Sequence, residues 1–161
     1  MKISVSAYSF HQAIKQGKMT QMDCIKKAKE LGFSGIEFTE IDGAPDFDVQ
    51  IENAKKLREE AKRCDMEIVA YAIGAVLYQD TPAASQAEID RLKREVDIAK
   101  ALGAPVMRHD VCYELGKSGN ARSFDLMLPT IAENIRAVTE YAMQRRIRTC
   151  TENHGFIAQD S

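Results

Sequence analysis

The 161-residue chain has four cysteines, Cys24, Cys64, Cys112 and Cys150, but no C-x-x-C pair among them. Such spacing excludes a zinc knuckle and suits reduced thiols in a cytoplasmic protein better than a disulfide framework. The chain also lacks an excess of positive charge. Its formal charge is -2 with both signs well mixed, so the footprint that holds a nucleic-acid backbone or an anionic membrane surface is missing. No nucleic-acid or membrane partner is expected, and small-molecule chemistry is the better expectation. Long apolar runs are absent at the start: "MKISVSAYSF" alternates and is only briefly apolar, which fits neither a signal peptide nor a membrane span. No linker, low-complexity tract or block of like charge divides the chain, so residues 1–161 are expected to form a single domain. After the first strand stands "SFHQAIKQGK", with no G-x-G-x-x-G and no P-loop, so a nucleotide-binding reading has no phosphate cradle.

What is present is a beat. Hydrophobic residues make up 45% of the chain, enough to fill a sizeable core. Short β-rich runs alternate with longer segments of helical period, the signature of βα units around a parallel sheet. The first helix opens at Thr20, where "TQMD" offers a T-x-x-D cap, and Met22, Ile25, Ala28 and Leu31 follow as its apolar stripe up to Gly32. "GIEFTE" is the second strand, and Ile51, Ala54, Leu57, Ala61 and Cys64 mark the next helix. "MEIVAYAIGAVL" supplies the third strand. "SQAE" at Ser85 to Glu88 reads as a capping box ahead of Ile89, Leu92, Val96, Ala99 and Leu102, with Gly103 as the stop. "APVMRHDV" is the fourth strand, Ile131, Ile135, Val138 and Ala142 line the last helix, and "RIRTCTEN" is the fifth strand. The count is five strands and four helices. The phrases "AKELG" and "AKALG" repeat weakly at two helix ends. Charged stripes such as "KKLREEAKR" read as solvated faces with i,i+4 pairs.

Right-handed βα units build either an open doubly wound sheet or a closed (β/α)8 barrel. Polar residues gather at several strand ends: His11 near Tyr8, Glu37 and Glu40, the run Arg108, His109 and Asp110, and Glu152 to His154. Barrels collect functional groups at that face. Along a regular strand, period two sends Arg108 and Asp110 to one face and His109 with Met107 to the other. It likewise separates Glu37 from Glu40. On residue type alone, Glu152 reads as a solvated strand-end acid before a ligand, and His154 as a polar loop residue as readily as a group that bonds a hydroxyl or orients a neighbouring carboxylate.

Four phrases, "ISVSAYSF", "AKELGFSGIEF", "ALGAPVMRHD" and "TENHG", together resemble the xylose isomerase-like TIM barrels of sugar phosphate isomerases and epimerases. The resemblance implies an α/β fold of the (β/α)8 TIM-barrel type, truncated here to about five parallel strands and four helices, since a full barrel takes roughly 250 residues. It implies a divalent metal, Mn2+, Mg2+, Co2+ or Zn2+, at the C-terminal mouth, and proton transfer beside the carbonyl of a sugar or sugar phosphate. Glu152 would be metal ligand and catalytic base. His109, His154, Glu37 and Arg108 would contact substrate. The other ligands of the family come from later strands, so this chain by itself is expected to be incomplete, with weak metal binding and low or absent turnover. Two rivals remain: a non-catalytic half-barrel that self-associates through open strand edges, and a metal phosphodiesterase like the endonuclease relatives of the barrel, for which His109 would be the hook and which a net charge of -2 suits poorly.

Overall fold

The computed structural model describes residues 1–115, 122–152 and 154; the expectations that touched Asn153 and Gly155 lie outside them. Among the described residues, five parallel strands form one sheet in sequential order, and five α-helices accompany them in the α/β arrangement of a partial TIM barrel. By internal contacts the chain divides into two units, Met1–Ala72 with Asp97–Met107, and Ile73–Val96 with Arg108–Ser161.

In the first unit, β1 (Ser4–Ser6) pairs with β2 (Gly35–Phe38), and β2 with β3 (Glu67–Ile73), with a register shift between Ile36 and Glu37. Gly35 has a steric reason. A Cβ there would stand 2.6 Å from Ser4 Oγ and 2.8 Å from Val69 Cγ1, so only glycine lets these chains meet. The strand β2 stops at Phe38, so Glu40 lies beyond it, and the simple alternation expected for Glu37 and Glu40 does not apply.

The segment after β1 departs from the expected count of four helices. A 3-10 turn at Ala7–Phe10 runs into a fifth helix, α1 (His11–Lys15), which buries none of its residues. At five residues it is too short to show a helical period, which is why "SFHQAIKQGK" reads as a turn. Next, α2 (Gln21–Glu30) begins with the expected box: Asp23 N donates to Thr20 Oγ1 at 3.2 Å, and Thr20 N donates to Asp23 Oδ2 at 3.0 Å. It ends before Gly32, whose φ of 88° is the left-handed conformation a C-terminal glycine supplies. Ile25 and Ala28 are buried as expected, but Gln21 and Cys24 join them while Leu31 is 58% exposed, so the inner stripe is turned toward Gln21 and Cys24. In α3 (Phe47–Arg63), capped by Asp46, the charged face is paired at i,i+3 rather than i,i+4, as in Glu52 with Lys55 and Glu59 with Lys62.

The second unit holds most of α4 (Pro82–Leu102), with α5 (Phe124–Gln144) and β5 (Arg148–Thr151). The expected cap at Ser85 is replaced by one four residues earlier. Thr81 Oγ1 accepts from Ala84 N at 3.2 Å, and Pro82 takes the first helical position, where its missing N–H costs nothing. Glu88 is therefore free of capping. It accepts from Val76 N at 3.0 Å and pairs with Arg91 at 2.8 Å, tying the segment after β3 to the helix. That segment leaves the sheet at Gly74, earlier than expected for the third strand, yet Ala75 and Leu77 stay buried. Leu77 is held by Asn134 Nδ2, which donates to its carbonyl at 2.8 Å, and by its own N–H to Val111 O at 2.7 Å. At the edge of the sheet, β5 leaves Arg148, Cys150 and Thr151 exposed.

Glu88 supplies a pH test. Burial alone would raise its pKa, but the hydrogen bonds from Arg91 and Val76 outweigh that and hold it below the usual carboxylate value. The unfolded chain then takes up the proton first, so the stabilisation is complete above the ordinary glutamate pKa of about 4.3 and is lost as pH falls through the lower folded value. In urea unfolding, Glu88→Gln is expected to cost about 1–2 kcal/mol at pH 7. The gap between the two proteins should shrink steadily below pH of about 4; a gap that stays constant into acid would refute the assignment.

Candidate metal and substrate site

The fourth strand, β4 (Val106–His109), ends in a buried polar run, and Arg108, Asp110, Tyr113, Glu152 and His154 all lie in the second unit. Asp110 is the hub. Its carboxylate is 2% exposed and is saturated from three sides: Arg108 Nη1 donates to Oδ1 at 2.7 Å, His154 Nδ1 meets Oδ1 at 3.1 Å, and the Tyr113 hydroxyl donates to Oδ2 at 2.5 Å. A buried carboxylate without such partners would cost several kcal/mol, so the network explains how Asp110 can be there. Its backbone N–H is spent on Ile73 O at 3.2 Å, which aligns the end of β4 with the end of β3.

Glu152 arrives from the end of β5. Its backbone N–H donates to His109 O at 3.3 Å, and its Oε2 lies 2.9 Å from Arg108 Nε. Arg108 thus spans Asp110 and Glu152 with two edges of one guanidinium, the fork geometry arginine provides and lysine does not. The Glu152 side chain is 47% exposed, in contrast to Asp110. His154 packs edge-on against Tyr113, with ring centroids 5.7 Å apart and an interplanar angle of 81°. Hydrogen bonding to Asp110, with burial added, pushes the Tyr113 phenol up to about 12. Gly74 makes room for that hydroxyl, since a Cβ at this position would stand 2.7 Å from it.

Asp110, Glu152 and His154 each bring one ligand atom to within 4.8 Å of the others. Two metal–ligand bonds of about 2.0–2.2 Å each nearly span that separation, and a half-exposed glutamate can close the rest. Two carboxylate oxygens and an imidazole nitrogen suit Mn2+, Mg2+ or Zn2+ by donor type. The residues present therefore fit a divalent ion.

His109 is not one of the three donors of this cluster. His109 is fully buried, with Nδ1 at 2.8 Å from Asp110 O and no hydrogen-bond partner for Nε2 among the described residues. Desolvation lowers its pKa more than Asp110 raises it, which favours the neutral ring. Its ring meets the cluster through the backbone carbonyl of Asp110, and its own carbonyl accepts from Glu152 N. Glu37 belongs to the first unit, as do Tyr8 and His11, whose rings stack at 5.4 Å. Asp110 is the residue that sequence reasoning undervalued. Its one signal was the period-two placement beside Arg108, and their ion pair agrees with it.

A family model described as xylose isomerase-like TIM barrel matches residues 25–160. The chain belongs to that family. No curated protein matches it. Solved structures share the fold at low identity. L-ribulose 3-epimerase aligns with a TM-score of 0.72 and 15% identity over 94% of this chain and 49% of its own. A candidate sugar phosphate isomerase/epimerase from Anabaena variabilis gives 0.66 and 18% over 94% of this chain and 54% of its own. D-allulose 3-epimerase from Methylomonas sp., solved with D-allulose, gives 0.61 and 17% over 83% of this chain and 45% of its own. This xylose isomerase-like chain spans about half the length of those structures.

Proposed function

We propose that the protein serves a divalent-metal-dependent isomerase or epimerase acting on a small sugar or sugar phosphate, by proton transfer at the carbon beside a carbonyl. The observation that carries this reading is the convergence of Asp110, Glu152 and His154 at the ends of β4 and β5. The family supports it, and the neighbours named for L-ribulose and D-allulose suggest the substrate class.

Asp110, Glu152 and His154 would hold the ion, which when bound supplies Lewis-acid polarisation of a substrate oxygen. The chain's own residues do the rest. Glu152, half-exposed at its strand end, is the proposed base, because it alone among the three donors combines a carboxylate with access to solute. Asp110 is too enclosed to meet a substrate and serves to anchor Arg108, His154 and Tyr113. Arg108 and His154, at 25% and 57% side-chain exposure, can reach hydroxyl or phosphate oxygens of a substrate beside them. His109, its ring fully buried, is the weaker substrate contact, and Glu37 of the first unit stays a proposed one.

The test is solvent exchange. The protein, supplied with Mn2+ in D2O and offered L-ribulose, D-allulose and their phosphates, is expected to place deuterium on the carbon next to the carbonyl, read by mass spectrometry. Absence of exchange in every ketose tried, with Mn2+ demonstrably bound, would reject the assignment.

A further inference from the structure

We propose that Arg108 is an internal counter-cation occupying the charge position of the metal, so that a divalent ion binds by displacing it from Asp110 and Glu152. This rests on the metal reading above and adds a regulator of occupancy to that site.

Much of the acceptor capacity of the two carboxylates is already taken. Asp110 Oδ1 already takes Arg108 Nη1 at 2.7 Å and His154 Nδ1 at 3.1 Å, while Oδ2 takes the Tyr113 hydroxyl. Glu152 Oε2 takes Arg108 Nε at 2.9 Å. The donors that would hold an ion are therefore joined by the one cationic side chain among the described residues that is recorded in contact with both carboxylates. An ion that takes Glu152 Oε2 must break the Arg108 to Glu152 contact, and it meets two carboxylates whose charge one guanidinium already offsets in part. Removing that charge leaves two carboxylates facing one position, with Asp110 unable to turn to water. Such a pair raises the attraction for a dication and destabilises the metal-free protein at once. A purely supporting role for Arg108 predicts the opposite sign for metal affinity, because the donors would lose their alignment.

Arg108 can also move. Its side chain is 25% exposed, so a released guanidinium can be received by water or by an anionic group on a substrate.

The experiment is calorimetric titration of the full 161-residue chain with Mn2+ alone, comparing wild type, Arg108→Met, Arg108→Lys and Glu152→Gln, with metal-free and Mn2+-saturated Tm measured for each. Arg108→Met is expected to tighten Mn2+ binding at least about tenfold, to lower the metal-free Tm, and to show a larger rise in Tm with Mn2+. Arg108→Lys keeps the charge without the fork and should fall between the two, which also serves if Arg108→Met does not fold. Equal or weaker binding in both variants, with Glu152→Gln abolishing it, overturns the counter-cation role and leaves the metal reading standing. No saturable Mn2+ binding in any of the four proteins overturns the metal reading, and the counter-cation role with it.

Discussion

Asp110→Ala is expected to lower the unfolding free energy by about 2–4 kcal/mol. The side chain is 2% exposed and binds Arg108, Tyr113 and His154 at once. Breaking a fully buried pair by removing one partner costs about 3–5 kcal/mol, because the remaining charge is stranded. Arg108 is not stranded here, since it keeps Glu152 and is one quarter exposed. The expected value therefore lies toward the lower part of that range. Asp110→Asn should cost less, because an amide oxygen still accepts from Tyr113. Urea unfolding at pH 7 measures both. A loss below about 1 kcal/mol for Asp110→Ala would mean that the hub contributes no more than an ordinary surface pair.

Glu152→Gln inverts the pattern. Its ion pair with Arg108 is half-exposed at the glutamate end, and such pairs are worth about 0–1 kcal/mol, so stability should hardly change. Function should change most. Loss of a charged ligand in a set of three is expected to weaken Mn2+ affinity by at least about a hundredfold. If Glu152 is also the base, exchange of the substrate proton should fall by about 10²–10⁴-fold even at saturating Mn2+. The two effects separate by raising the metal concentration. Rate recovery at high Mn2+ would restrict Glu152 to the ligand role and require another base. Two carboxylates on the same arginine thus carry opposite consequences, and burial is what divides them.

Much of the fold was legible because its signals are local. The Thr20 box, the stop at Gly32 and the apolar faces of α3 and α4 each depend on residues within a few positions of one another. The misses are of two physical kinds. Short elements such as α1 contain too few residues to display a period. Competing caps such as Thr81 and Ser85 are both chemically competent, and the outcome was set by Glu88 being drawn away to Val76 and Arg91.

The sequence by itself determined the order of the five strands and the four longer helices, the glycine ends, and a carboxylate at the end of β5. Parallel βα units put successive strand ends on one side, so polar residues at those ends were bound to gather. Only the tertiary structure decided which of them meet. Asp110 and His154 are 44 positions apart and touch because strand alignment and loop path bring them together, which no local pattern encodes. Likewise, Arg108 meets both Asp110 and Glu152 because a forked guanidinium can satisfy a buried carboxylate that cannot stand alone and still reach a half-exposed one.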